Sequence, residues 1–433
     1  MVFSSSNPVS GLKLSSVVPA KATGNKDHQL YNMDLALKLH YIKAVYFFDP
    51  KAVQGLCIYD LKEPMFQLLE LYYTASGRIR RSDDDGGRPF IKCNDGGVRI
   101  VEAFCDMTVD EWLAVKEDSR DDCLVYNQVL GPDLAFSPLV YVQFTYFKSG
   151  GMSLGLNWAH VLGDPFAATT FLNMWANMIS AQVPLSLPSI SPHVPNPNNN
   201  SNSKSSANSS PVVKTLDPVG DHWRIPGDCR IKSHTFHVTA KQLDLIKSKI
   251  HNPITAVDFS DFEVLSALIW KSLLKIRDDS GLRPVTICTY DSGHRENEIP
   301  TNAVAISTVE ADFIPRKSEV PELAALIANK RTDANSLVED MFEKDGSGPD
   351  VVVYGSNLTF VNMEVADVYG LKLRGEKPVF VNYAIGGVGD EGVVLVLRGP
   401  EEDGSCGRTV TAVLPEKQLS ELKIELEDGW GLV

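Results

Sequence analysis

The sequence predicts a mixed α/β protein in two domains. Three observations carry that expectation. The 433 residues exceed what one hydrophobic core ordinarily organises. A stretch dominated by proline, serine and asparagine, PLSLPSISPHVPNPNNNSNSKSSANSSPVV at 184–213, divides the chain into near-equal halves. Within each half, strand patterns follow one another as hairpins with helices interspersed, not as regular βαβ alternation. The expected division is a first domain at 1–186, a solvent-exposed crossover at 187–213 whose middle is disordered, and a second domain at 214–433.

The elements follow in order. KLSSVVPA (13–20) reads as a short strand. YNMDLALKLHYIKAVYFF (31–48) begins as an amphipathic helix and ends in an aromatic strand at Val45–Phe48. A helix occupies 64–78, and 78–104 reads as two strands about an acidic, glycine-rich turn. SPLVYVQFTYF (137–147) is a strand that Gly150 and Gly151 turn back as a hairpin. In 151–175, Met152, Leu154, Leu156 and Trp158 alternate as in a strand with one buried face, and Pro165 opens a helix. After the crossover come a strand at 233–239 and a helix at 240–250 capped by Thr239 and Gln242. The helix SDFEVLSALIWKSLLKIRDD (260–279) carries an apolar stripe from Phe262 to Ile276, and Ser260 or Asp261 can cap it. Strands at 283–290, 302–310, 351–363, 378–385, 392–399 and 407–414 and helices at 318–331 and 415–426 complete the chain.

Charge and cysteine content narrow the function. A formal net charge of -14 argues against nucleic acid or an anionic membrane surface as the main partner. No apolar run reaches the ~18 residues of a transmembrane helix, and MVFSSSNPVSGLK lacks the apolar centre of a secretory signal. Seven scattered cysteines, with no CxxC, read as buried thiols in a reducing compartment and not as a metal site.

His160 and Asp164 form an HxxxD pattern at the strand-to-helix corner. An imidazole titrates near neutral pH, so His160 is a candidate general base, taking a proton from a hydroxyl or amine that attacks a thioester carbonyl. Asp164 then anchors the turn. The alternative is equally physical: Asp164 caps the helix begun by Pro165, and His160 is a core histidine with satisfied hydrogen bonds. Two other patterns fail on context. Gly151-Met152-Ser153-Leu154-Gly155 fits G-x-S-x-G, but Ser153 lies early in a strand and not at a nucleophile elbow. Gly387-x-Gly389-x-x-Gly392 fits a dinucleotide fingerprint, but a strand follows it where a helix is required, so a hairpin turn is expected.

The segments KLSSVVPA, YNMDLALKLHYIKAVYFF, ASGRIR (75–80), NWAHVLGDPFAATTF and SALIWKSLLKIR together resemble the plant BAHD acyltransferase superfamily over nearly the whole length. The resemblance implies two chloramphenicol-acetyltransferase-like domains with a channel at their interface, His160 as catalytic base and Asp164 as a structural residue. It makes Arg295, in DSGHRENE (291–298), the candidate partner of Asp164. The family's DFGWG signature is replaced here by DVYGLKLRGEKP at 367–378, and its upstream Ser-Trp pair is also absent, replaced within SNLTFVNMEV (356–365). VLGPDLAFSPLV, YGSNLTFVN, KPVFVNYAIGGVGDEGVVLV and VLPEKQLSELK further resemble the Eceriferum/Glossy class, the BAHD-like proteins of cuticular wax synthesis. That class implies an accessory of very-long-chain fatty acid elongation at the cytosolic face of the endoplasmic reticulum. It would be peripheral and held by a ketoacyl-CoA synthase, with the cytosol or nucleus as other locations, and a monomer on its own. No cofactor is expected, and acyl-CoA is the expected substrate or ligand. An active acyl-CoA-dependent acyltransferase using His160, and a scaffold that binds no acyl group, remain the alternatives.

Overall fold

The computed structural model describes residues 8–432 except 84–86, 181–211, 228, 251–257, 278–282, 291–300, 312, 314, 344–347 and 403. Two large sheets dominate. The first has six strands in the order Val9–Val17, Val98–Cys105, Val140–Phe147, Met152–Ala159, Tyr41–Phe48 and Phe380–Gly386. The second has seven, ordered Ile231–Val238, Ser405–Pro415, Val393–Glu402, Leu358–Met363, Val285–Tyr290, Val304–Val309 and Arg331–Asp333.

The Met152–Ala159 strand is antiparallel to both neighbours, Val140–Phe147 and Tyr41–Phe48. All eight of its residues are buried, so both faces are covered and not one as the alternation suggested. The helix reading of 31–48 holds only for Asn32–Ala36. From Tyr41 the β-branched and aromatic residues pair across to Ala159–Met152, and strand begins there instead of at Val45. The helix placed at 64–78 runs from Ile58 to Leu71, because the Asp60 carboxylate accepts from the Cys57 N–H at 2.8 Å and starts it earlier. The 78–104 region holds three strands, Arg78–Arg81, Pro89–Cys93 and Val98–Cys105, of which the first two form a small sheet with Lys26–Gln29.

The crossover lies outside the described residues save Val212 and Val213, which are buried at its end. The sheets do not divide where this stretch divides the sequence. Phe380–Gly386, far into the second half, completes the first sheet by pairing with Tyr41–Phe48, Asn382 opposite Val45. The chain then passes through Gly387–Gly392 into Val393–Glu402 of the second sheet. That glycine-rich turn is therefore not a hairpin, since its two flanking strands bond into different sheets. Its backbone must run close to the first half. A Cβ on Gly387, at φ +70°, would lie 2.1 Å from the Leu39 carbonyl oxygen.

One continuous core contains Trp158 and Phe171 of the first half with Tyr354, Met363, Tyr383 and Leu395 of the second. A second core lies between the other face of the second sheet and the helices Asp261–Ile276, Val320–Asn329 and Glu416–Trp430. Asp261–Ile276 starts as its sequence predicts, with Ser260 and Glu263 in a reciprocal capping box.

Candidate functional site

The corner at 160–165 is built by its own sequence. Ala159 ends the strand and His160–Leu162 make a single 3₁₀ turn. Gly163 follows at φ +148°, where a Cβ would sit 2.6 Å from that of Ala167. The Trp158 indole N–H donates to the Gly163 carbonyl at 3.1 Å and closes the corner. Asp164 serves both halves of the molecule. Its Oδ1 accepts from the N–H groups of Phe166 and Ala167, each at 3.0 Å, capping the helix Pro165–Ile179. Its Oδ2 accepts from the Ala303 N–H at 2.9 Å, across from the second half. Arg295 lies outside the described residues.

His160 has no solvent-accessible surface. Its backbone N–H donates to the His40 carbonyl at 3.1 Å. Its ring stands in a chain of buried polar groups drawn from four segments. Asn302 Nδ2 donates to Asp34 Oδ1 at 2.7 Å and to the His160 carbonyl at 2.9 Å. Asn302 therefore presents its Oδ1 to His160 Nδ1, 3.0 Å away, and the imidazole proton sits on Nδ1. Nε2 is left as an acceptor, and the Tyr354 hydroxyl donates to it at 3.1 Å. Tyr354 is held in turn by His40, whose Nε2 accepts from the N–H groups of Val353 and Tyr354 at 3.1 and 3.4 Å. The His40 proton is thereby on Nδ1, donating to the Gly387 carbonyl at 2.6 Å.

Burial sets the electrostatics. It lowers His160 from 6.5 to about 4 and His40 to about 3, the latter also repelled by His160. Both rings are neutral at physiological pH. Burial raises Asp34 from 3.8 to about 6, against the pull of its hydrogen bonds from Asn302 and Tyr31. It also drives the Tyr354 phenol well above its usual range. The arrangement gives His160 the protonation state a base needs, while its lone pair is already engaged.

The sequence singled out His160 and Asp164, and the structure adds Asn302, Tyr354, His40 and Asp34 around them. Tyr354 was legible in one respect. Tyr354-Gly-Ser-Asn357 is turn chemistry, and it interrupts the strand expected over 351–363, leaving Val351–Val352 and Leu358–Met363. Ser153 is buried at mid-sheet, opposite Phe47 and Thr145, far from the exposed corner a nucleophile needs. An open cleft of about 1090 Å³ follows the altered segment, lined by Asp367, Lys372, Lys377, Arg398, Glu401 and Cys406. Clefts of about 300 and 350 Å³ lie between the halves, beside Arg120 and Phe380 and beside Tyr41 and Gly387. His160 lines none of these three.

A model of the Transferase family matches residues 8–292. Protein ECERIFERUM 2 of Arabidopsis thaliana is 41% identical, with 97% of this chain and 98% of that protein aligned. Protein ECERIFERUM 26 of the same plant is 36% identical over 98% of this chain and 97% of its own length. Among solved structures, vinorine synthase superposes with a TM-score of 0.72 at 17% identity, covering 97% of this chain and 98% of its own. The two sheet-rich domains are thus of the chloramphenicol-acetyltransferase type.

Proposed function

Since the chain belongs to the Transferase (BAHD) family, with Eceriferum proteins among its relatives, we propose that it is an accessory protein of the fatty acid elongase. In this reading it promotes very-long-chain acyl-CoA elongation for cuticular wax together with a ketoacyl-CoA condensing enzyme. The full-length likeness to Eceriferum proteins supports the wax-related role. The observation that carries the accessory reading is the state of His160. Its Nε2, the atom a base would use, is bonded to Tyr354 inside a fully buried site. The chain then works by holding an acyl chain or the condensing enzyme, at the cytosolic face of the endoplasmic reticulum and through that partner. No helix among the described residues is long and apolar enough to cross a membrane.

Co-expression of His160→Ala with a condensing enzyme, followed by acyl-chain profiling, tests this. Chain extension equal to wild type is the expected outcome, and its loss would return His160 to catalysis.

One observation favours a second reading, an acyl-CoA-dependent transferase with His160 as general base. The imidazole is neutral, with Nε2 unprotonated. Acyl transfer by the purified wild-type protein to candidate alcohols would establish it.

A further inference from the structure

We infer that Tyr354 is a latch on His160, and that moving its side chain aside uncovers a latent water-dependent thioesterase acting on acyl-CoA. The inference rests on the accessory reading only in taking the wild-type protein as idle.

The hydrogen-bond chain fixes what the latch does. Asn302, committed to Asp34 and to the His160 carbonyl through its amide, leaves His160 one tautomer, with its lone pair on Nε2. Tyr354 fills that lone pair and, with no exposed surface of its own, fills the space in front of it. The attacking water needs that lone pair to take its proton, and water and thioester carbonyl together need the space.

The latch is set by backbone, not by the tyrosine alone. His40 grips the N–H groups of Val353 and Tyr354 from one side. On the other, the Gly389 N–H donates to the Tyr354 carbonyl at 3.0 Å and the Glu391 N–H to that of Gly355 at 3.1 Å. Gly355, at φ +86°, lies so close that a Cβ would be 2.6 Å from Gly389 N. The grip is therefore shared by His40 and the 387–392 crossover, to which His40 is itself bonded through the Gly387 carbonyl, and a ligand or partner that shifts this crossover releases Tyr354.

The uncovered step balances with water as nucleophile. His160 Nε2 takes a proton from water as the oxygen bonds to the thioester carbon. The C–S bond then breaks, and the leaving thiolate takes the proton from His160, giving a carboxylic acid and free CoA. Opening also wets the imidazole, so its pKa climbs from about 4 toward 6.5 and its basicity with it.

Purified Tyr354→Ala is incubated with acetyl-CoA and palmitoyl-CoA, without a condensing enzyme, and CoA thiol is followed with a chromogenic thiol reagent. A positioned base contributes about 10²–10⁴-fold, so a rise of about tenfold or more over wild type is expected. The rise should vanish in Tyr354→Ala/His160→Gln. Wild type releasing CoA as fast as the variant, a folded Tyr354→Ala that releases none, or release that survives the double substitution would each overturn the latch. Tyr354→Phe guards against misfolding of the alanine variant. It keeps the ring and removes the donor, so the His160 Nε2 ¹⁵N resonance should move toward that of a free acceptor nitrogen. An unchanged resonance overturns the latch as well. Chain profiling of His160→Ala reads the accessory role separately, so either idea can fail alone.

Discussion

Asp164 shows how much one carboxylate carries. Its two oxygens satisfy three backbone N–H groups, two at the helix start and one from Ala303. Asp164→Ala is expected to lose about 1 kcal/mol for the cap and about 1–3 kcal/mol more for the orphaned Ala303 N–H. Asp164→Asn should lose less, because its amide oxygen still caps. Urea unfolding of both variants checks the order. The buried histidines predict a pH dependence. The unfolded chain protonates His160 and His40 below pH 6.5 and the folded chain does not, down to about 4 and about 3. Their contribution is thus full above pH 6.5 and is lost as pH falls toward those values. Asp34 has the opposite sign. Its raised pKa costs stability above pH 6, a cost that fades between pH 6 and 3.8. Two groups against one leave a net loss on acidification. His160→Gln should flatten the decline in unfolding free energy between pH 6.5 and 4, and an unflattened decline would remove His160 from this account.

At the scale of elements, the altered segment 367–378 still joins the halves. Asn173, on the helix Pro165–Ile179, donates to the Asp367 carbonyl at 2.9 Å, and the Arg374 guanidinium donates to the Gln54 carbonyl. Leu371 and Leu373 are fully buried in the shared core. Leu373→Ala should destabilise by about 2–5 kcal/mol, read from the denaturation midpoint. The crossover at 387–392 is equally constrained. Gly404 and Gly387 both have positive φ, +77° and +70°, but only Gly387 faces a backbone carbonyl. Gly404→Ala should cost about 1–2 kcal/mol. Gly387→Ala should cost clearly more, since backbone must move to admit the methyl group. Equal losses in thermal unfolding would mean that the crossover is not locked against Leu39.

For the whole molecule, the continuous core and the exchanged strand Phe380–Gly386 make the halves one cooperative body. Calorimetry should show a single unfolding transition. Two resolved transitions would mean that the sheets unfold independently despite the shared strand. The same connectivity ties the 387–392 crossover directly to Tyr354, whose carbonyl accepts from the Gly389 N–H.

The sequence alone determined the mixed α/β class, the Thr239 cap, a cap at Ser260 or Asp261, the strand–corner–helix around His160, and the family. These rest on local rules: side-chain periodicity, capping chemistry, and motifs read along one stretch of chain. Tertiary structure decided the rest. Phe380–Gly386 crosses to the first sheet because strand partners are chosen by the register of distant segments, which the linear pattern of apolar residues does not encode. Tyr354, Asn302, His40 and Asp34 meet His160 for the same reason. They come from segments up to 320 positions apart, with separations of 142 between His160 and Asn302 and 194 between His160 and Tyr354. Their chemistry exists only once burial removes water and leaves each polar atom with its neighbours as hydrogen-bond partners.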